Sequence, residues 1–200
     1  MNPDLKKTFL DLWEDCFPGC EIPIACFYSN DLKGVSFPKP PKSNAKGYTC
    51  IISQLAPVRK GRDRAFNKEN LGCSGALRPL GFDDEITEDT KKYMCNVERV
   101  KKSIPHLESM FENRNFERVP EKYIIFKRWD TLEDDDKPKV IFFFGNPDMI
   151  SGLHGLANFD TLDTHGMISP FATGCDSIVG IPMEENKSKE NIIQKLSNLA

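Results

Sequence analysis

The 200-residue sequence contains no CxxC pair, which removes the common zinc-ribbon, zinc-finger and thioredoxin signatures. It has no stretch approaching the roughly 18 apolar residues that cross a bilayer. Its opening, MNPDLKKTFLDLWED, is too charged to form the apolar core of a signal peptide. An excess of positive charge is also missing: the net charge is −3 and the pI about 5.7, against a dedicated nucleic-acid binder. Internal repeats and low-complexity segments are absent, and the acidic run Glu133–Asp136 lacks the spaced ligands and glycine of a calcium loop. What these absences leave is a cytoplasmic protein with neither nucleic acid nor membrane as partner, its oligomeric state open.

A hydrophobic fraction of 39% with 28% charged residues suits a single domain over residues 1–200 with a sizeable core. Seven cysteines are an odd number, so they cannot all pair internally. In a reducing compartment they serve as buried hydrophobes, metal ligands or reactive thiols.

Along the chain, residues 3–15 place Leu5, Phe9, Leu12 and Trp13 on one face of a helix. Ile22–Tyr28 and Tyr123–Trp129 read as strands. Val140–Phe144, five apolar residues in a row, reads as a central strand buried on both faces. Residues 30–47, with Pro38, Pro40 and Pro41, form a loop. A helix in Tyr48–Val58 stops or kinks near Pro57. Arg59, Lys60, Arg62 and Arg64 then read as a solvated connection, since Asp63 interrupts them. Ser74 caps a short turn that Gly81 closes, residues 86–102 form a polar helix, and another helix follows Pro105 to Phe111. Asn146 caps a helix over 147–158 with Pro147 in its first turn. Gly166–Ser169 is a further strand, Pro170–Val179 a turn into a helix, and Ser188–Leu199 an amphipathic helix. The expected fold class is α/β (or α+β): a single mixed sheet of roughly four to six strands with helices packed on it.

Six pieces in order carry a likeness: PIACFY at 23–28, GYTCIISQLAPVRKG at 47–61, CSGALRPLGF at 73–82, YIIFKRW at 123–129, VIFFFGNPDMISGLHGLANF at 140–159 and PFATGCDSI at 170–178. On these the chain resembles the prokaryotic family named for domain of unknown function 169, from about Ile22 to Glu185. The resemblance implies recurrent cysteines at Cys50, Cys73 and Cys175, but not at Cys16, Cys20, Cys26 or Cys95. It also implies a further segment beyond a helix like 188–199, so this chain is expected to be shortened relative to the family.

Three readings of the chemistry stay open. Cys50, Cys73 and Cys175 can hold zinc with one open position, or an iron–sulfur cluster, with His154, His165 or Asp176 as a fourth ligand. Alternatively, Cys175 is a reactive thiol at a helix start, served by His165 or His154 as base. In the third, a small anionic ligand sits at the Gly145–Asp148 turn, held by Asn146 and by His154, which the spacing of Ile150, Leu153 and Ala157 turns inward. In that last case the cysteines are structural.

Overall fold

Two strands, β1 (Ile24–Ser29) and β3 (Tyr123–Arg128), pair antiparallel at the centre of the computed structural model, which describes residues 3–39, 50–116, 118–160, 162 and 171–185. Each carries apolar side chains at consecutive positions, so both of its faces are buried. Ile24, Ala25, Cys26, Ile124 and Ile125 have no exposed surface at all. Outside them lie β2 (Arg64–Phe66), beside β3, and β4 (Val140–Phe142), beside β1. The order is β2-β3-β1-β4 and every pairing is antiparallel. The α/β class and the four-stranded size agree with the sequence reading; neighbouring strands run in opposite directions throughout.

One face of the sheet carries Ile24, Cys26, Phe66, Ile124, Phe126, Val140 and Phe142. Against it pack α2 (Ile51–Arg59), α3 (Ser74–Leu77) and the helical segment 174–185. The other face, with Ala25, Phe27, Ala65 and Ile125, is covered by Phe9 and Leu10 of α1 (Pro3–Cys16) and by Val35. A smaller apolar cluster joins α4 (Glu88–Asn96) and α5 (Ile104–Glu112) through Met94, Leu107 and Phe111. The last described helix of the middle region, α6 (Pro147–Asn158), buries only Met149.

Several expectations are corrected. Val140–Phe144 is not the central strand. Only three of its residues join the ladder, at the sheet edge, and Ile141 is 37% exposed. Its last two aromatics serve other contacts: Phe143 stacks on Trp13 at 5.4 Å, and Phe144 lies under the Arg59 guanidinium at 4.5 Å. Pro57 does not end α2, which continues to Arg59; the carbonyl its ring leaves unbonded belongs to Ser53, an exposed residue that water can reach. The basic stretch after it is not all loop, because Arg64 begins β2. The helix expected over 86–102 ends at Asn96. The expected strand at 166–169 and helix at 188–199, with most of the 40–49 segment, lie outside the described residues. Among the described residues no helix is long and apolar enough to cross a membrane.

The acidic connection Glu133–Asp136 is solvated only in part. Asp136 turns inward, 1% exposed, and its Oδ2 accepts from Lys127 Nζ at 3.0 Å and from the Glu133 amide at 2.9 Å. Lys127, on β3, is itself 2% exposed. Removing one partner of a buried ion pair leaves the other charge uncompensated and costs about 3–5 kcal/mol, whereas apolar replacement of both is often neutral. Asp136→Leu is therefore expected to lower stability to chemical denaturation by about 3 kcal/mol, with Glu133, 3.8 Å from Lys127, limiting the loss. Lys127→Met combined with Asp136→Leu should recover most of it. A single-variant loss below about 1 kcal/mol would contradict the pairing.

Candidate functional site

Helix starts leave amide N–H groups without intrahelical partners and place a partial positive charge there. Three such starts converge on the face of the sheet that carries Ile24 and Phe126. Cys50 is the N-cap of α2, with extended backbone, and Cys73 is the N-cap of α3. Cys73 thus takes the place expected for Ser74, whose hydroxyl instead pairs with Thr90 at 2.8 Å. Cys175 lies in the first turn of segment 174–185, just before its π-helical stretch Asp176–Gly180. A π-helical turn inside an α-helix is rare and is found often at functional sites.

Two contacts hold Cys175 in place. Arg114 grips Asp176 with both terminal nitrogens at 3.0 Å, and its Nε donates to Glu184 at 2.5 Å. Asp176 is fully buried, so this pairing compensates a desolvated carboxylate. Burial pushes the Asp176 carboxyl above its ordinary range, and Arg114 pulls it back. Gly180 then meets the segment after α3 at close quarters: a Cβ there would stand 2.9 Å from the Pro79 carbonyl and 2.5 Å from Asp176 Oδ1. Only glycine allows that approach.

The result is a cavity of about 480 Å³ lined by all three of Cys50, Cys73 and Cys175, together with Ile52, Glu98 and Thr173. Cysteines separated by 23 and 102 residues in the chain thus share one pocket. Cys50 and Cys73 are partly exposed and Cys175 is 6% exposed; all are free thiols. Cys50 and Cys175 are close enough for each to act on the other's proton. Cys50, the more exposed of the two, takes the negative charge: the interaction with Cys175 and, behind it, the amides of Ser53 and Ile52 lower its pKa to about 5, against the cost of burial. Cys175 keeps the proton, its thiol raised by that same interaction and by burial. Burial also raises Cys73, with the Glu98 charge adding to it. Glu98 is raised in turn by burial and by Cys50.

The remaining sequence candidates do not join this pocket. Asp176 is committed to Arg114 rather than offered as a fourth ligand. Asn146 spends its Oδ1 on the Met149 amide at 2.9 Å, the expected helix cap. His154 does not point inward: it is exposed on α6, whose apolar spacing faces open surface at Ile150 and Leu156. His165 lies outside the described residues. Among the described residues, the group of three ligand-type side chains with all ligand atoms within 4.8 Å of one another is Glu133, Asp135 and Asp136, which Lys33 and Lys127 already neutralise. The three cysteine sulfurs are not drawn that close together. Glu98, Arg99 and Thr173 are absent from the sequence candidates. Asn96, of a type that favours helix ends, is the one sign that Glu98 and Arg99 leave the helix; Thr173 has none.

Residues 21–196 match the family described as uncharacterised ArCR, domain of unknown function 169. The chain belongs to that family. The domain-169 match takes in Cys50, Cys73 and Cys175 and leaves out Cys16 and Cys20. Neither a curated protein nor a solved structure matches the chain.

Thiolates, not thiols, react with alkylating agents. In reduced, chelator-treated protein, Cys50 alkylation by iodoacetamide should rise with pH through a midpoint near 5, full above it and lost below. An ordinary thiol titrates at about 8.5. Cys175→Ala removes the interaction and should move that midpoint up. A wild-type midpoint near 8.5 would contradict the Cys50–Cys175 pairing.

Proposed function

We propose that the pocket formed by Cys50, Cys73 and Cys175 is a thiolate site for a soft metal centre, an iron–sulfur cluster or zinc, with an open coordination position facing the cavity. The observation that carries this reading is the meeting of three cysteines, each at or within the first turn of a separate helix, around one cavity. Helix starts favour anionic sulfur, because their amides and dipoles offset the negative charge that several thiolates bring together. Soft sulfur ligands select zinc, copper(I) or iron–sulfur centres over hard cations.

Sulfur spacing supports the cluster over mononuclear zinc. Four-coordinate zinc with bonds of about 2.3 Å holds its sulfurs roughly 3.8 Å apart. The three sulfurs here stand farther apart than a mutual 4.8 Å. A cluster distributes its cysteines over separate irons and so accepts wider spacing. The centre would supply a Lewis-acidic or redox-active iron, and Cys50, Cys73 and Cys175 would hold it. Free thiols fit a reducing compartment such as the cytoplasm. The reading of an anion at the Gly145–Asp148 turn has less behind it, since Asn146 is used in its own cap and His154 is exposed.

Protein purified without oxygen should contain iron and acid-labile sulfide in near-equal amounts and show a broad visible absorption. Outer-shell partners alone are worth about 10–100-fold in metal affinity, so Cys50→Ser, Cys73→Ser or Cys175→Ser should each cost at least that. Cys26→Ser, elsewhere in the core, should leave the metal bound. Stoichiometric zinc without sulfide would change the metal but keep the site. Colourless, metal-free protein that takes up neither iron nor zinc would overturn the reading.

A further inference from the structure

The short connection between α4 and α5 crosses the mouth of the cysteine pocket and brings positive charge with it. Arg99 and Val100 line the cysteine cavity and also a second, adjoining one of about 620 Å³, whose other walls include Lys101, Lys102 and His106. The two spaces adjoin at these two residues. Arg99 adopts φ of +55°, a left-handed conformation that side chains other than glycine rarely take. Backbone strain of this kind gathers at ligand sites, where the surrounding structure holds it.

The charge at this mouth is uncompensated. Among the described residues Arg99, Lys101 and Lys102 have no ion-pair partner, whereas Arg114, which flanks the same segment as Cys175, is paired to Asp176 and Glu184. Lys101 Nζ rests 5.0 Å from the centre of the Phe171 ring, which places it between the two cavities. The nine-residue α5 begins here with no acidic residue in its first turn. The hydroxyl of its N-cap Ser103 pairs with His106 Nδ1 at 2.8 Å and does not cap the helix. Deeper in the cysteine cavity, the hydroxyl of Thr173 is buried with no hydrogen-bond partner. Buried hydroxyls are almost always paired, and this one has no partner within the protein.

We infer that the mouth where these two cavities adjoin binds a small oxyanion ligand, a di- or tricarboxylate or a phosphate ester. Its anionic groups meet Arg99, Lys101 and Lys102 at the mouth, and its other end reaches Thr173 beside the cysteines. Arginine is suited to this because its planar fork meets carboxylate or phosphate with two hydrogen bonds. Glu98 on the same wall selects against ligands that carry negative charge at the inner end. The inference goes beyond the metal reading and needs only the cavity.

Calorimetric titration at low ionic strength, with citrate and with inorganic pyrophosphate as separate probes, tests it on protein as purified and on metal-stripped protein. One probe should bind with a stoichiometry of one, and which of them binds separates carboxylate from phosphate. Arg99→Gln should weaken that binding at least about tenfold, Lys101→Gln with Lys102→Gln to a similar degree, and Thr173→Val severalfold. Lys137→Gln, remote from the pocket, should not change it. Absence of binding by both probes, or equal affinity in Arg99→Gln and Lys137→Gln, would overturn the inference. Loss of binding on stripping would show that the metal holds the anion and Arg99 does not, and would overturn it as well. Metal content, measured on the same samples, reports separately on the thiolate site.

Discussion

The two-sided burial of the β1–β3 pair is the constraint on which the rest of the structure depends. Ile24 to Phe27 and Ile124 to Lys127 are at most 2% exposed, so both faces of the sheet must be covered by packed chain. Burial of apolar surface yields about 25 cal/mol for each Å², and here it draws four separate segments onto the sheet: α1 on one side, and α2, α3 and 174–185 on the other. The latter three dock through Ile51, Leu55, Val58, Ala76 and Val179. Because each is anchored near its beginning, the three helix starts are brought together. The cysteine pocket is a consequence of how the core closes.

Polar groups at the pocket's edge are then held by compensation. Arg114 neutralises Asp176 where water is excluded, and the Gly180–Pro79 approach locks the segment that bears Cys175 against the one that follows Cys73. The interaction between Cys50 and Cys175 lowers the first and raises the second, and burial adds to the rise at Cys175. A pair of this kind presents one thiolate near neutral pH and holds its neighbour as a donor. The third thiol, Cys73, is kept neutral by burial and by Glu98. A positive centre among the cysteines, as proposed, would offset the Cys50 charge, and the cations at Arg99, Lys101 and Lys102 lie on the wall that faces outward.

Short-range features were legible in the sequence. The strands at β1 and β3, the helix Pro147–Asn158 with its Asn146 cap, and α1 follow from apolar spacing and cap chemistry, and each lies within two residues of its expected place. Long-range features were not. The run Val140–Phe144 looks like a core strand because it is apolar, yet two of its aromatics serve Trp13 and Arg59, partners more than eighty residues away. Asp136 reads as one of four solvated acids, and only the position of Lys127 on β3 turns it inward. His154 has apolar neighbours at helical spacing, but spacing cannot say that α6 leaves its face open. Of the site, the three cysteines were singled out on resemblance; Arg99 and Thr173, whose roles depend on a backbone angle and an unfilled hydrogen bond, leave no trace in residue order.

The central claim is that Cys50, Cys73 and Cys175 act as one site. Cysteine-by-cysteine alkylation, read by mass spectrometry on the intact protein as purified without oxygen and again after chelation, tests it most directly. The account predicts that these three are protected together before chelation and become reactive together after it, while exposed Cys16 reacts in both states. Protection of Cys50 and Cys175 with Cys73 open throughout, or three unrelated rates that chelation does not change, would contradict it.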